Sequence, residues 1–351
     1  MSLIRMSSPH VYKTNTTANV MRLVLLATLP GIIAMTVFFG WGTLIQLVWA
    51  GALAVAFEAI ILKIRRRPLG FYLSDGSALV TALLLAVAIP PFAPWWVTAV
   101  GIFVAIVIAK HLYGGLGQNP FNPAMVAYAL LLISFPVEMT RWSAPFVLNG
   151  EGWPVASFFD TLGAIFGSVD SVWYDSFTGA TPLDELRHRG GLTNEEAWRQ
   201  SVVLSEGIGA WHAVSAAWLM GGIFLLYRKI ITWHAPISML LALAICSAMF
   251  YGYDPDNYAG PFFHLSTGAT MLAAFFIITD PVSSATSNRG RIIFGAGIGV
   301  LIFIIRTWGN YPDGVAFAVL LMNLAAPFID IYSQPRSYGH SKANKGQGGK
   351  A

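Results

Sequence analysis

Ser74-Asp75-Gly76-Ser77, an apolar run that ends at Ile89, and the pair Pro90-Pro91 form the passage on which the fold turns. The run is about 14 residues long, short of the ~20 a helix needs to cross the hydrocarbon core of a bilayer. Asp-Gly before it and Pro-Pro after it are turn and breaker signals. Set among longer apolar segments, it reads as a broken or partly re-entrant membrane helix. Such irregular backbone is tolerated at membrane depth only where protein buries it or where it lines a cavity. A second short run, about Leu265–Thr279, stands before Asp280-Pro281.

The composition agrees with a membrane reading. The chain has 351 residues, 56% hydrophobic and 11% charged, with mean hydropathy +0.62. Soluble domains carry about 25% charged residues. The net charge of +4 is not a nucleic-acid signal, because the basic residues form short clusters between apolar runs, where they report orientation. The single cysteine, Cys246, cannot ligate an iron–sulfur cluster, close an internal disulfide or attach a c-type haem. Any electron carrier must therefore be organic or belong to a partner. The seven histidines show no metal-ligand spacing, and no metal is assigned. Residues 1–20 are polar, and no signal peptide is evident.

Working outward gives about ten spans, each near the length a bilayer requires or short of it. The expected spans are Leu23–Phe39, Thr43–Leu62, the short run after Asp75, Trp95–Ala109, Ala124–Phe135, Trp211–Tyr227, Ile231–Tyr251, Leu265–Thr279, a ninth to Ile305, and Val315–Ile331. Lys63, Arg65, Arg66 and Arg67 follow the second span and mark the cytoplasmic side, which puts both termini in the cytoplasm. Residues 137–210 hold ten acidic and four basic side chains, and five crossings place them outside. The expected organisation is a cytoplasmic arm (1–20), a first membrane unit (21–136), a periplasmic insert (137–210), a second membrane unit (211–332) and a basic tail (333–351).

The two membrane units look alike. Gly101–Ala109, Lys110 and the Gly/Asn/Pro loop after it resemble Gly297–Ile305, Arg306 and the loop Thr307–Gly314. Five spans is an odd number, so a repeat must be inverted. Broken helices in inverted repeats build a central site near the midplane. The plainer alternative is that Gly and Pro are simply frequent in membrane helices. The expected fold class is an all-α polytopic membrane protein with two inverted five-helix repeats and an outward-facing insert.

One stretch of the insert carries chemistry. Asp175-Ser176-Phe177-Thr178-Gly179-Ala180-Thr181-Pro182 is on its face a Gly-centred surface turn. Its spacing also resembles D-x-x-(S/T)-G-A-T, the signal that flavin transferases read when they join FMN, through its phosphate, to the final Thr. Asp175, Thr178, Gly179 and Ala180 fill the specified positions, and Thr181 is the expected acceptor. A second (S/T)-G-A-T, Thr267-Gly268-Ala269-Thr270, has His264 and not an acid six residues before its Thr, at the head of an apolar span. Thr270 is expected to stay unmodified, and the stretch reads as a close-packing turn whose small residues let helix backbones approach, with hydroxyls facing the central site as the alternative.

Over almost its whole length the chain resembles the membrane subunits of the NqrB/RnfD family. The matching blocks include Ser8-Pro9-His10, Ala88-Ile89-Pro90-Pro91, Gly114-Gly115-Leu116-Gly117-Gln118-Asn119-Pro120-Phe121-Asn122-Pro123, Thr279-Asp280-Pro281 and Tyr311-Pro312-Asp313-Gly314. The short N-terminal arm is closer to the Rnf (Rsx) D subunit than to the B subunit of sodium-translocating NADH:quinone oxidoreductase. The resemblance implies a bacterial inner-membrane complex that couples electron transfer between ferredoxin and NAD to Na+ or H+ translocation. It implies covalent FMN, here on Thr181, and a further riboflavin or second flavin bound without a covalent link. The implied partners are Rnf subunits A, B, C, E and G, a flavin transferase and membrane lipid, with no nucleic acid.

Charges at membrane depth are the remaining signal. Glu58, Asp75, Lys110, Asp280, Arg306 and Asp313 lie in or beside apolar runs, and each needs a partner or water. Lys110 and Arg306, near helix ends, read as structural ion pairs or snorkelling side chains. For Asp75 and Asp280, beside the broken helices, an ion path and a structural role stand as alternatives, and with Thr270 and Asn119 they are candidates for that path or for a second flavin site. Trp41, Trp95, Trp96, Trp211 and Trp308 read as interface anchors. Two other functions compete: a urea-channel-like transporter with Thr181 unmodified, and a structural anchor for redox partners.

Overall fold

A computed structural model describes residues 16–151, 156–167, 171–311 and 313–333, so most of the expected N-terminal arm and the basic tail lie outside the described residues. Among the described residues, six helices are long and apolar enough to cross a membrane: Thr17–Phe39, Gly42–Ile64, Val203–Tyr227, His234–Tyr253, Asn288–Trp308 and Val315–Ser333. Shorter apolar helices are Ser77–Ala86, Trp95–His111 and Pro123–Ser134. The chain is a multi-pass, helical membrane protein. A two-stranded ribbon, Trp142–Ser143 antiparallel to Thr178–Gly179, packs against the membrane helices through Trp142 and Ser143.

The long helices begin and end within a few residues of the expected spans, except that the first starts at Thr17, inside the expected irregular arm, and the sixth extends back to Val203. The short run after Asp75 is a helix of 10 residues, Ser77–Ala86. Ten residues rise about 15 Å, half the ~30 Å hydrocarbon core. Gly76 sits in the left-handed region (φ 76°) and turns the chain out of the small helix Leu69–Leu73 and into this one.

The second short run departs from expectation. It is interrupted inside the expected span: the helix Pro261–Ser266 stops at the extended Thr267, Gly268 turns at φ 63°, and a new helical segment fills 270–277. The sequence Thr267-Gly268-Ala269-Thr270 is the break itself. Apolar residues continue on both sides, so hydropathy alone does not reveal it.

Small residues set the closest packing. Gly295 and Gly299, one helical turn apart, present bare backbone to Ala235 and Met239, so that Asn288–Trp308 lies directly on His234–Tyr253. Without a hydrophobic drive between helices in lipid, such close contact is what holds them. One core runs through both halves, including Phe39, Leu85, Ile106 and Met125 from the first and Phe275, Phe294, Phe303 and Val315 from the second.

The polar features divide between two faces. On one, Arg67 donates to the carbonyl of Gly114 (3.3 Å) and Arg291 to Thr232 (3.1 Å), among the exposed Lys63, Arg65, Arg66, Arg228, Lys229 and Arg289. On the other, the insert is moored to the loop after His234–Tyr253. Asn194 Nδ2 donates to the carbonyls of Pro255 (2.6 Å) and Tyr258 (2.7 Å), and Arg189 to that of Asn257 (2.6 Å). The insert helices are short and capped by side chains: Ser157 and Asp160 form a capping box for Phe158–Phe166, Thr193 and Glu196 another for Asn194–Gln200. Edge-to-face contacts join this layer to the membrane helix Gly42–Ile64, Trp49 against Phe166 at 5.2 Å and Trp41 against Phe158 at 5.8 Å.

Candidate functional site

Thr181 is an N-cap. Its backbone is extended, Pro182 opens the helix Pro182–Arg187, and its Oγ1 accepts a long hydrogen bond from the Asp184 amide (3.3 Å). The side chain is half-buried. The residues before it are held by the ribbon: Thr178 pairs with Ser143 and Gly179 with Trp142, while the Thr178 hydroxyl donates to the Tyr174 carbonyl (2.8 Å). Asp175 is exposed on the helix Ser171–Phe177. On that helix Tyr174 donates to the Ala164 carbonyl (2.8 Å). Burial raises its phenol above the ordinary value, with Arg141 opposing, so at neutral pH it stays a donor.

The helix that begins at Thr181 rests on the broken helix. Leu183 is buried with Ala197, Leu204, Ala259 and Phe263, and a side chain on Gly268 would meet it at 2.6 Å. Arg187 donates to the carbonyl of Tyr311 (3.1 Å). Thr181 therefore stands at an outer cavity between the two halves of the chain, about 1180 Å³ counting its open mouth. Ligand sites are mainly apolar with a few placed polar groups. Met35, Phe39, Met125, Tyr128, Trp142 and Trp211 supply the apolar wall, and Asp184 and Asp313 the carboxylates. Trp211 is a correction to the sequence reading. It is buried, packed on Phe39 (4.6 Å) and Trp142 (5.8 Å), and is not an interface anchor. Trp41, Trp95 and Trp308 are exposed.

Below the cavity a charge pair staples the break. Arg306 meets Asp313 at 3.1 Å and donates to the carbonyl of His264 (2.8 Å). Asp313 accepts from the Ala269 amide (2.9 Å). The cation thus satisfies carbonyls at the end of one half-helix, and the carboxylate an amide at the start of the next, the groups a helix end leaves unpaired. Thr270 is fully buried, and its hydroxyl turns back to the carbonyls of His264 (2.8 Å) and Thr267 (3.2 Å).

An inner cavity opens at the basic face, about 940 Å³ including its mouth. Ser77, Lys110, Asn119, Asn122, Thr279 and Asp280 are its polar residues along with Thr81. Lys110 Nζ lies 2.7 Å from Glu58 Oε1 and donates to Ser77 Oγ at 2.7 Å, and His111 Nε2 is 3.3 Å from the same carboxylate oxygen. Asp280 accepts from Ser283 Oγ (2.7 Å). Asp75 lies beside this cavity, accepting from the Ser77 amide (2.7 Å), and does not line it. Of the four residues grouped from sequence, the fold brings Asn119 and Asp280 together. It keeps Asp75 at the edge and Thr270 inside the break.

Other site residues escaped the sequence reading. Asn122 caps Pro123–Ser134 and links the halves: Asn323 Oδ1 takes its amide (3.1 Å), and its Nδ2 donates to the Ile277 carbonyl (3.4 Å). An Asn before Pro at a helix start is the signal that marks the cap. Nothing in sequence marks its partner 201 residues away. Tyr128, Trp142 and Met35 carry no local signal either. Among the described residues no group of three or more His, Cys, Asp or Glu is placed to hold a metal ion.

A family model described as the NQR2, RnfD, RnfE family matches residues 4–339. The D subunit of the ion-translocating oxidoreductase complex of Ectopseudomonas mendocina (strain ymp) is 55% identical over 348 residues, 99% of this chain and 98% of that one. The D subunit of the same-named complex of Cellvibrio japonicus (strain Ueda107) is 53% identical over 350 residues, covering 98% and 97% of the two chains. Its counterpart in Vibrio vulnificus (strain YJ016), which bears the same name, is 52% identical over 356 residues, covering 97% and 100%.

Proposed function

The chain belongs to the NQR2, RnfD, RnfE family, and on that premise we propose that it is the D subunit of an Rnf-type ion-translocating oxidoreductase complex, carrying covalent FMN on Thr181. The protein is part of a translocase and not a complete enzyme alone. It passes electrons between partner subunits in a bacterial inner membrane. Those partners are subunits A, B, C, E and G, and a flavin transferase matures the chain. The complex couples ferredoxin/NAD chemistry to movement of Na+ or H+.

One observation carries the flavin reading. The hydroxyl that ends the complete Asp175–Thr181 signal is half-buried at a mainly apolar cavity, whereas the hydroxyl that ends the second, incomplete signal is fully buried and already bonded within the chain. When bound, FMN supplies one- and two-electron chemistry, and the protein supplies position and electrostatics. Thr181 holds the phosphate by an ester, and the aromatic and methionine walls accept a flat ring. The inner cavity, with Asn119, Asn122 and Lys110, suits a second, non-covalent flavin, and Asp280 within it and Asp75 beside it are the candidates for an ion path. Ten spans in two inverted repeats, with 137–210 periplasmic and both termini cytoplasmic, fit the paired short helices at Gly76 and Gly268 and the basic clusters gathered on one face. The test is flavin fluorescence of the denatured chain in a gel, after expression with the transferase. Wild type and Thr270→Ala fluoresce and Thr181→Ala is dark; a fluorescent Thr181→Ala contradicts the assignment.

A further inference from the structure

Among the described residues, seven buried side-chain nitrogen and oxygen atoms make no hydrogen bond. One of them, Trp211 Nε1, belongs to a residue that lines the outer cavity. Trp211 is 9% exposed. An indole N–H can only donate. A buried donor without an acceptor carries the whole penalty of its lost hydration. On a wall that faces a cavity, an occupant can bring the acceptor.

The indole is held in place. Phe39 lies 4.6 Å from it and Trp142 5.8 Å, ring centre to ring centre, both at an angle. Trp142 is also the ribbon residue that pairs with Gly179, two places before Thr181. The ribbon that leads to Thr181 and the indole are therefore packed together, and both residues line one cavity. Other polar groups of that cavity are engaged within the chain. The Thr140 hydroxyl donates to the Pro136 carbonyl (2.9 Å). Asp313 accepts from the Ala269 amide (2.9 Å) and from Arg306 (3.1 Å). A carbonyl on an occupant is repelled by the carboxylates of Asp184 and Asp313 and finds a donor at Trp211.

We propose, resting on the flavin reading of Thr181, that Trp211 Nε1 donates a hydrogen bond to a carbonyl oxygen on the pyrimidine edge of the tethered flavin and so makes that flavin easier to reduce. The physical ground is charge. Reduction raises the electron density on the carbonyl oxygens of that edge, so a fixed donor there holds the reduced ring more tightly than the oxidised one. Against the apolar wall of Met35, Phe39 and Met125 the bond is electrostatically stronger than it is in water.

The test is a reductive titration with dithionite of the purified full chain, expressed with its flavin transferase. Only the flavin signal missing from Thr181→Ala is followed. Trp211→Phe keeps an aromatic ring and removes the N–H. Replacing Trp211 with benzothienylalanine keeps the bicyclic shape and exchanges only the N–H for sulfur, so this isostere decides if the phenylalanine variant does not fold. Both chains are expected to carry flavin at the wild-type level, as read by in-gel fluorescence. Their midpoint potential falls, and in the infrared difference spectrum a flavin carbonyl stretch moves to higher frequency. A purely structural role would lower flavin content or thermal stability and leave that stretch in place. The two failures are distinguishable. A dark wild-type chain removes the Thr181 reading and the Trp211 bond with it. An attached flavin whose potential and carbonyl stretch match wild type in the isostere chain overturns the Trp211 bond alone.

Discussion

Thr181 and Thr270 end the same short pattern and meet opposite fates in the fold. One caps a surface helix beside a cavity; the other closes a helix break and has no exposure. Replacing Asp175 with Ala is expected to abolish flavin attachment without unfolding the insert, because Asp175 is exposed. In-gel fluorescence and normal assembly of that variant are the readouts. The buried charges behave differently. Glu58 and Lys110 each expose 3% of their side chains. Removing one partner of a buried pair leaves the other charge unpaired and costs about 3–5 kcal/mol, whereas replacing both with apolar groups can be nearly neutral. Lys110→Met is therefore expected to lower the unfolding midpoint in detergent markedly, and Glu58→Leu/Lys110→Met to recover much of that loss. Equal losses in single and double variants would contradict the pairing. The need for partners at these positions was legible in the sequence, because charge at membrane depth cannot stand alone. Which groups pair was not: Arg306 and Asp313 are seven residues apart, but the His264 carbonyl that Arg306 also holds is 42 residues away and is placed only by folding.

At the scale of elements, length decided what could be read. A segment of about 20 apolar residues has one stable answer in a bilayer, and the long helices fall close to their expected places. The turn at Gly268 was legible from its small residues, but not that it breaks the helix, because hydropathy runs through it without interruption. Trp211 was misread because a Trp at the start of a span marks an interface by residue type, whereas its burial depends on Phe39 and Trp142 arriving from elsewhere. The two left-handed glycines give a paired prediction. Ala at either position forces a side chain into the left-handed region at a cost of roughly 1–2 kcal/mol. At Gly76 the added Cβ would meet only Met21 at 3.5 Å. At Gly268 it would meet Leu183 at 2.6 Å, Arg306 at 2.7 Å and Asp313 at 2.8 Å. Gly268→Ala is thus expected to destabilise more than Gly76→Ala, and to disturb the Arg306–Asp313 staple as well. Thermal unfolding of the two variants side by side checks the order.

For the whole molecule, Thr181 of the insert lines an outer cavity, and a separate inner cavity is lined by Lys110, Asn119 and Asp280. The basic side chains gather at the inner cavity's end, and the insert covers the other. The orientation we propose, from the charge bias that orients membrane proteins, puts the basic end in the cytoplasm. A cysteine placed at Glu185, in a Cys246→Ser background, is expected to react with an impermeant reagent supplied from the periplasmic side of the inner membrane, and one at Arg289 only from the cytoplasmic side. The reverse pattern would overturn the orientation. The central claim, that Thr181 carries the flavin, is met most directly by peptide mass mapping of the purified chain expressed with an active flavin transferase. The account predicts the peptide containing Thr181 with the added mass of an FMN phosphoester and the peptide containing Thr270 without it. An unmodified Thr181 peptide, from cells in which the transferase modifies a control substrate, would contradict it.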